Sequence, residues 1–212
     1  SEAGCRVAIS GNGADELFTG YYDHYSFWLA EMKNKNSFVN LQSDWQKSYG
    51  AYVQNPILQD PLVFFKNPLE RGHIFLNSET FNAWLHDPFE ETFEESAYSN
   101  NILRNRMLNE IHHETIPVIL HEDDRNSMYY SVENRSPYLD RDLAEFLFRI
   151  PPEFLIKNGY VKYLLRTAGT SFVSDDVLWD KRKRGFNAPI DHLVDRKDKD
   201  TRDYLMADGP IF

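Results

Sequence analysis

Ser10-Gly11-Asn12-Gly13-Ala14-Asp15-Glu16-Leu17-Phe18 lies between an apolar run, Cys5 to Ile9, and an amphipathic run that begins at Glu16. Apolar strand, glycine turn, then helix is the layout that aims backbone N–H groups at an anion. Gly11 and Gly13 tolerate positive φ or let a ligand approach the backbone closely. Asp15 stands at the helix start. A carboxylate there either caps the first turn or holds a metal that bridges phosphates. A tight turn with an aspartate cap accounts for the same residues. The loop matches neither G-x-G-x-x-G nor G-x-x-x-x-G-K-[ST], so neither standard nucleotide fingerprint applies.

The strand leading into this loop reads as buried and parallel, which requires sheet neighbours on both sides. Few other runs read as strands. Either the fold is mainly α-helical, with at most a small parallel-sheet remnant at the N-terminus, or these residues start inside a larger domain. Cys5 is expected to be a buried thiol. As the single cysteine it makes no internal disulfide, which fits a reducing, cytoplasmic setting.

The 212 residues include 23 Lys and Arg against 33 Asp and Glu, a net charge of −10. That balance argues against a nucleic-acid surface, which needs a basic stripe, and against an anionic membrane surface. No run of 18 apolar residues exists, and the first residues show no signal-peptide pattern. Hydrophobic residues at 42% and aromatics at 15% suffice for a sizeable core.

Apolar positions spaced three and four apart predict one helix from Glu16 to Lys33, interrupted only by Gly20, and a second from Phe38 to Val53. Pro56, Pro61 and Pro68 predict an extended connection around Leu62-Val63-Phe64-Phe65. Asn77-Ser78 should cap a short helix through Trp84. Asp87, Glu90, Glu91, Glu94 and Glu95 read as a solvated acidic helix start, with a metal site as the alternative. Helices are predicted over Asn100 to Glu114 and from Thr115 to about Tyr130. His112-His113 is a poor metal clamp, because adjacent helical side chains do not face each other. The charge-rich stretches Glu122 to Met128 and Glu133 to Asp140 read as a buried ion-pair network fixing a turn, or as the polar wall of a substrate site. Pro137 ends any helix before it, and Asp140 can start another over Leu143 to Ile150. Lys162 and Arg166 share a helical face, either as surface or as two cations closing on phosphates. Lys181 to Arg184 is the one basic run. The charged segment Asp195 to Asp203 is expected to fray.

Four blocks, in order over nearly the whole chain, resemble the C-terminal part of the synthetase domain of glutamine-hydrolysing asparagine synthetases. They are Ser10-Gly11-x-Gly13-Ala14-Asp15-Glu16-Leu17-Phe18; Asp124-Arg125-x-Ser127-Met128; Glu133-x-Arg135-x-Pro137-x-Leu139-Asp140; and Lys162-Tyr163-Leu164-Leu165-Arg166 with Lys183-x-Gly185-Phe186-x-x-Pro189. The segment from Glu31 to Leu120 adds little to the likeness.

The resemblance implies an ATP-pyrophosphatase fold, with ATP and Mg²⁺ as cofactors. Such ligases activate a carboxylate, most simply aspartate, as an acyl-adenylate, and ammonia from glutamine then attacks the acyl carbon. Carried over by position, Ser10 and Gly11 contact the nucleotide. Asp15 helps to hold Mg²⁺ and pyrophosphate. Lys162 binds the nucleotide and stabilises charge on the adenylate phosphate. Glu133 and Arg135 shape the wall rather than react. Asn12 stands where the family usually carries an acid; an amide hydrogen-bonds a substrate but is no general base. Asn12 thus bears on the amine-activating step, and on substrate identity.

The family's Ser-Gly-Gly-x-Asp-Ser phosphate loop and its nucleophilic glutaminase cysteine have no counterpart in these residues. The expectation is that residues 1–212 are the C-terminal part of an incomplete synthetase domain whose partner is the rest of the same protein. By itself the chain is expected to be inactive. Amidotransferases acting on another carboxylate, such as a surface-polysaccharide sugar acid, and a non-catalytic helical scaffold are the alternatives.

Overall fold

The computed structural model describes residues 4–74, 78–88, 93–182, 194–195 and 197–206. It divides into two units, Ser1–Lys181 and Arg182–Phe212. The first unit is mainly helical, with one small parallel sheet among its described residues. Strand β1 (Val7–Ile9) pairs with β2 (Glu133–Arg135), Val7 opposite Glu133 and Ile9 opposite Arg135. Between the strands run α1 (Ala14–Phe18), α2 (Tyr22–Glu31), α3 (Phe38–Ser48), α4 (Val63–Lys66), α5 (Ser78–Asn82), α6 (Ile102–His112) and α7 (Thr115–Tyr129). After β2 come α8 (Arg141–Arg149), α9 (Tyr163–Ala168) and α10 (Asp175–Leu178). In the second unit, α11 (Lys199–Leu205) starts at Asp198, whose carboxylate accepts from Thr201 N at 2.8 Å. No helix among the described residues is long and apolar enough to cross a membrane.

The core forms around α2. Tyr25, Phe27, Trp28 and Leu29 are all buried there, as are Asp23, His24 and Ser26, so this helix is buried nearly all round rather than on one stripe. Phe27 stacks on Phe64 with centroids 3.6 Å apart and planes 4° apart. Trp28 Nε1 donates to Pro152 O at 2.8 Å, which gives its one polar atom a partner. A second cluster joins α1 to α8 through Leu17, Phe18 and Leu147. In the first unit, two helices among the described residues carry side-chain caps of the ordinary kind. Asn101 accepts from Arg104 N at 2.8 Å, and Asp140 accepts from Leu143 N at 3.0 Å.

Several expectations are corrected. β1 is not buried: Val7 is 44% and Ile9 76% exposed, and Cys5 is exposed too. With only two strands among the described residues, the sheet gives β1 little cover. The single helix from Glu16 to Lys33 splits in two. Thr19 takes φ 65°, and Gly20 N turns back to Asp15 O at 2.8 Å. The proline-rich connection holds a helical turn, α4, between Pro61 and Pro68, because that turn drives Phe64 into the core. Phe93 to Ser99 is not a helix start. Glu95 there turns inward, pairing with Arg71 at 2.7 Å and Arg106 at 3.1 Å. Glu90 and Glu91 lie outside the described residues, as do Asn77 and the stretch from Lys183 to Pro189.

Candidate active site at the carboxyl ends of two parallel strands

Ser10 follows β1 and Ser136 follows β2, so the two loops leave the sheet side by side. Ser10 N donates to Arg135 O at 2.8 Å, and the two serine Oγ atoms are 2.9 Å apart. The crevice outside the carboxyl ends of parallel strands is where open α/β sheets take their ligands. Gly13 takes φ 91°, and a Cβ there would lie 2.4 Å from Leu139 Cδ2. The first loop therefore packs on the second through a position that only glycine fills. Gly11 has open space beside it, with no heavy atom within 4 Å of a would-be Cβ. A ligand can reach the backbone there.

Gly13 holds the N-cap position of α1, so Asp15 is not the cap; it lies in the first turn. Its Oδ1 pairs with Lys162 Nζ at 2.9 Å, and both side chains are partly exposed, at 30% and 26%. Lys162 is the N-cap of α9 in the left-handed conformation, φ 53°. A non-glycine residue so held costs on the order of 1–3 kcal/mol and persists where its surroundings enforce it. Here Asn158 and Gly159 turn the chain first, and Tyr163 N is bound to Leu155 O at 3.1 Å. Lys162 also borders a cavity of about 400 Å³ with Tyr138, Leu165 and Gly169.

Gly20 completes this pair. A Cβ on Gly20 would lie 1.7 Å from Asp15 Oδ1 and 2.4 Å from Lys162 Cε. Gly20→Ala is expected to push the two charges apart at an overpacking cost of about 1–3 kcal/mol. In a chain of this size each kcal/mol lowers Tm by about 2–4 °C. A crystal structure of the variant should show the pair beyond 4 Å; an intact pair with unchanged Tm would refute this account of Gly20.

Asp15 also fits the demand of Mg²⁺. That ion keeps phosphate oxygens and water as ligands and takes only one or two protein carboxylates. A single, partly exposed carboxylate meets that requirement.

Sequence reasoning did not foresee the partner of Asn12. Asn12 Nδ2 donates to Asp123 Oδ2 at 2.7 Å, and Asn134 Nδ2 donates to the same oxygen at 3.1 Å. Asp123 lies on α7, 111 residues from Asn12, and nothing in its local pattern links it to the loop.

Other candidates sit elsewhere. Arg166 does not join Lys162 as a second free cation. Its Nε donates to Val161 O at 2.8 Å and its Nη1 to Leu178 O, and burial pushes its guanidinium below the ordinary value. Glu133 and Arg135 pair with each other at 2.9 Å on the exposed side of β2. The buried network expected in that stretch lies instead between α2 and α6.

Arg106 is the hub of that network. It reaches Asp23 at 3.6 Å, Glu95 at 3.1 Å, Glu110 at 3.2 Å and Glu114 at 2.7 Å. His24 Nε2 contacts Glu110 at 2.8 Å, and His73 contacts Asp23 at 3.2 Å. Donor atoms of Asp23, His24 and Glu110 come within 4.8 Å of one another. Arg106 and His73 already place donors on the carboxylates of this group. Burial pushes Asp23 up, but the His73 hydrogen bond and the charges of His24, His73 and Arg106 outweigh it and hold Asp23 below the carboxylate range. Burial likewise opposes, and Arg71 and Arg106 reverse, the shift of Glu95, which also ends low. Burial pushes His24 down, yet the charge and hydrogen bond of Glu110 lift it above its ordinary value. Burial lifts Glu110.

These directions set the pH profile of stability. Asp23 and Glu95 contribute above their unfolded pKa of about 4, and that contribution is lost as pH falls. His24 contributes fully below its unfolded pKa of about 6.5 and is lost as pH rises through its raised value. Glu110, also raised, opposes the acid loss in part. The Tm of the chain should therefore peak at mildly acidic pH and fall on both sides. A Tm flat from about pH 3 to 9 would contradict the assigned directions.

The asparagine synthase family model matches residues 1–210. The chain is 31% identical over 203 residues to asparagine synthetase [glutamine-hydrolyzing] 1 of Bacillus subtilis, covering 89% of this chain and 31% of that protein. It is 28% identical to a putative asparagine synthetase [glutamine-hydrolyzing] of Mycobacterium bovis, over 89% of this chain and 30% of that protein. It is also 22% identical to amidase chry2 of Gibberella zeae, over 88% of this chain and 32% of that protein. The chain thus spans about a third of the length of these relatives. No solved structure matches it significantly.

Proposed function

This chain belongs to the asparagine synthase family, and from that footing we propose that it is the C-terminal part of the synthetase domain of an ATP-dependent amide ligase. The observation that carries the reading is the Asp15–Lys162 pair at 2.9 Å, beside the glycine loop at the carboxyl ends of β1 and β2. A carboxylate oxygen of the substrate attacks the α-phosphorus of ATP, and pyrophosphate leaves. Ammonia derived from glutamine then attacks the acyl carbon, and AMP leaves.

In this reading the roles follow from position and charge. Ser10 and Gly11 lie against the nucleotide, where Gly11 leaves open space. Asp15 holds Mg²⁺, which neutralises phosphate charge when bound. Lys162 stabilises the negative charge that grows on the phosphates as pyrophosphate departs, as a fixed cation does best. Aspartate is the first acyl substrate to test, since the asparagine synthetases are the relatives with the higher identities quoted above.

The test is pyrophosphate release by the complete protein with ATP, Mg²⁺ and each of a panel of carboxylates. Release that depends on aspartate supports the reading. Release with a sugar acid or another carboxylate instead assigns the amide ligase a different substrate. No release with any carboxylate favours a scaffold role and refutes the ligase.

A further inference from the structure

Asn12 is the one side chain between the two loop glycines, and its amide has two ends with opposite hydrogen-bonding character. Which end faces the ligand side is decided by Asp123. A carboxylate offers acceptors only, so the amide must turn its Nδ2 toward Asp123, at 2.7 Å, and its Oδ1 away. Asn134 Nδ2, at 3.1 Å on the same oxygen, holds that carboxylate from the β2 side. Ser127 Oγ donates to Asp123 O at 2.6 Å, which ties the α7 turn carrying it to the following turn. All three side chains are half-buried, so water competes only in part for these bonds.

We propose that Asp123 is a positioning residue that locks Asn12 with its amide oxygen toward the open side of the loop, where it accepts a hydrogen bond from the nitrogen nucleophile. The inference rests on the function proposed above and adds a residue outside the four sequence blocks. An amide oxygen takes no proton at neutral pH. Asn12 therefore orients a nucleophile that arrives neutral, with its lone pair directed at the acyl carbon.

The experiment uses the complete protein with ammonium chloride as nitrogen source and three variants: Asp123→Ala, Asn12→Asp, and the exchanged pair Asn12→Asp with Asp123→Asn. Two readouts are taken: carboxylate-dependent pyrophosphate release without ammonia, and kcat and KM for ammonia in amide formation. Asp123→Ala should raise the ammonia KM about tenfold, the size of one hydrogen bond, while changing pyrophosphate release by less than about twofold. Asn12→Asp sets two carboxylates against each other and should be worse. The exchanged pair restores a donor–acceptor contact, with the Asn134 amide turned to present its oxygen and an acceptor still facing the loop, so it should recover most of the ammonia KM. Equal losses in both readouts for Asp123→Ala, or an exchanged pair no better than Asn12→Asp, would overturn the proposal. Wild-type protein that releases no pyrophosphate overturns the proposed function and this role with it. Thermal unfolding then still decides the pairing, since Asn12→Asp should melt lower and the exchanged pair should regain the loss.

Discussion

Replacing Lys162 with alanine in the complete protein should cut carboxylate-dependent turnover by about 10²-fold or more, the size seen when one fixed electrostatic donor is removed. The apparent KM for ATP should move much less. Charge builds on the phosphates as pyrophosphate leaves, so the ammonium counts for more in the transition state than in bound ATP. The geometry supports a directed role. Lys162 is held at the head of α9 in a left-handed conformation, with its Nζ 2.9 Å from Asp15. Loss of the lysine also leaves Asp15 without that cation, so some of the effect reflects an unbalanced carboxylate. Lys162→Met, which keeps the stem, separates packing from charge and should be as slow as the alanine variant. Wild-type turnover in both variants would remove Lys162 from the chemistry.

Arg106→Leu should be the most damaging single change to the fold. One guanidinium contacts Asp23, Glu95, Glu110 and Glu114, and Asp23 and Glu110 are buried. Removing one partner of a buried ion pair costs about 3–5 kcal/mol, because the other charge stays behind unpaired. At this chain length that corresponds to a Tm lower by about 10 °C. Arg106→Lys should recover only part, since a point charge on a flexible stem does not reach several carboxylates in a planar fork. An Arg106→Leu variant melting within about 2 °C of wild type would show that the network contributes little net stability.

The two sites differ in how far they can be read from the chain. The frame of the glycine loop is legible in the chain because it is local. Gly11, Gly13 and Asp15 carry their meaning within six residues, and the strand before and helix after them frame it. The Arg106 network was not legible there. Its members come from α2, the Arg71–His73 turn, Glu95 and α6, and no spacing joins them. The charge-rich stretch around Glu133 reads as the better candidate because acids and arginines alternate in it. Those residues lie on a strand with exposed sides, where adjacent charges pair in solvent.

Sequence alone established the mainly helical class, the helices α3, α6, α7 and α8 to within a few residues, and the four family blocks. Each of these depends on interactions within a few turns of chain: apolar period, capping and proline position. Tertiary contact settled the remainder. Gly20 is required because Asp15 and Lys162 occupy the space its Cβ would need. Phe64 ends in a helical turn because Phe27 waits across the core. Asn12 acquires its orientation from Asp123, 111 residues away. Contacts that close over such distances are fixed by the packing of whole helices, and a side chain's sequence neighbours carry no trace of them.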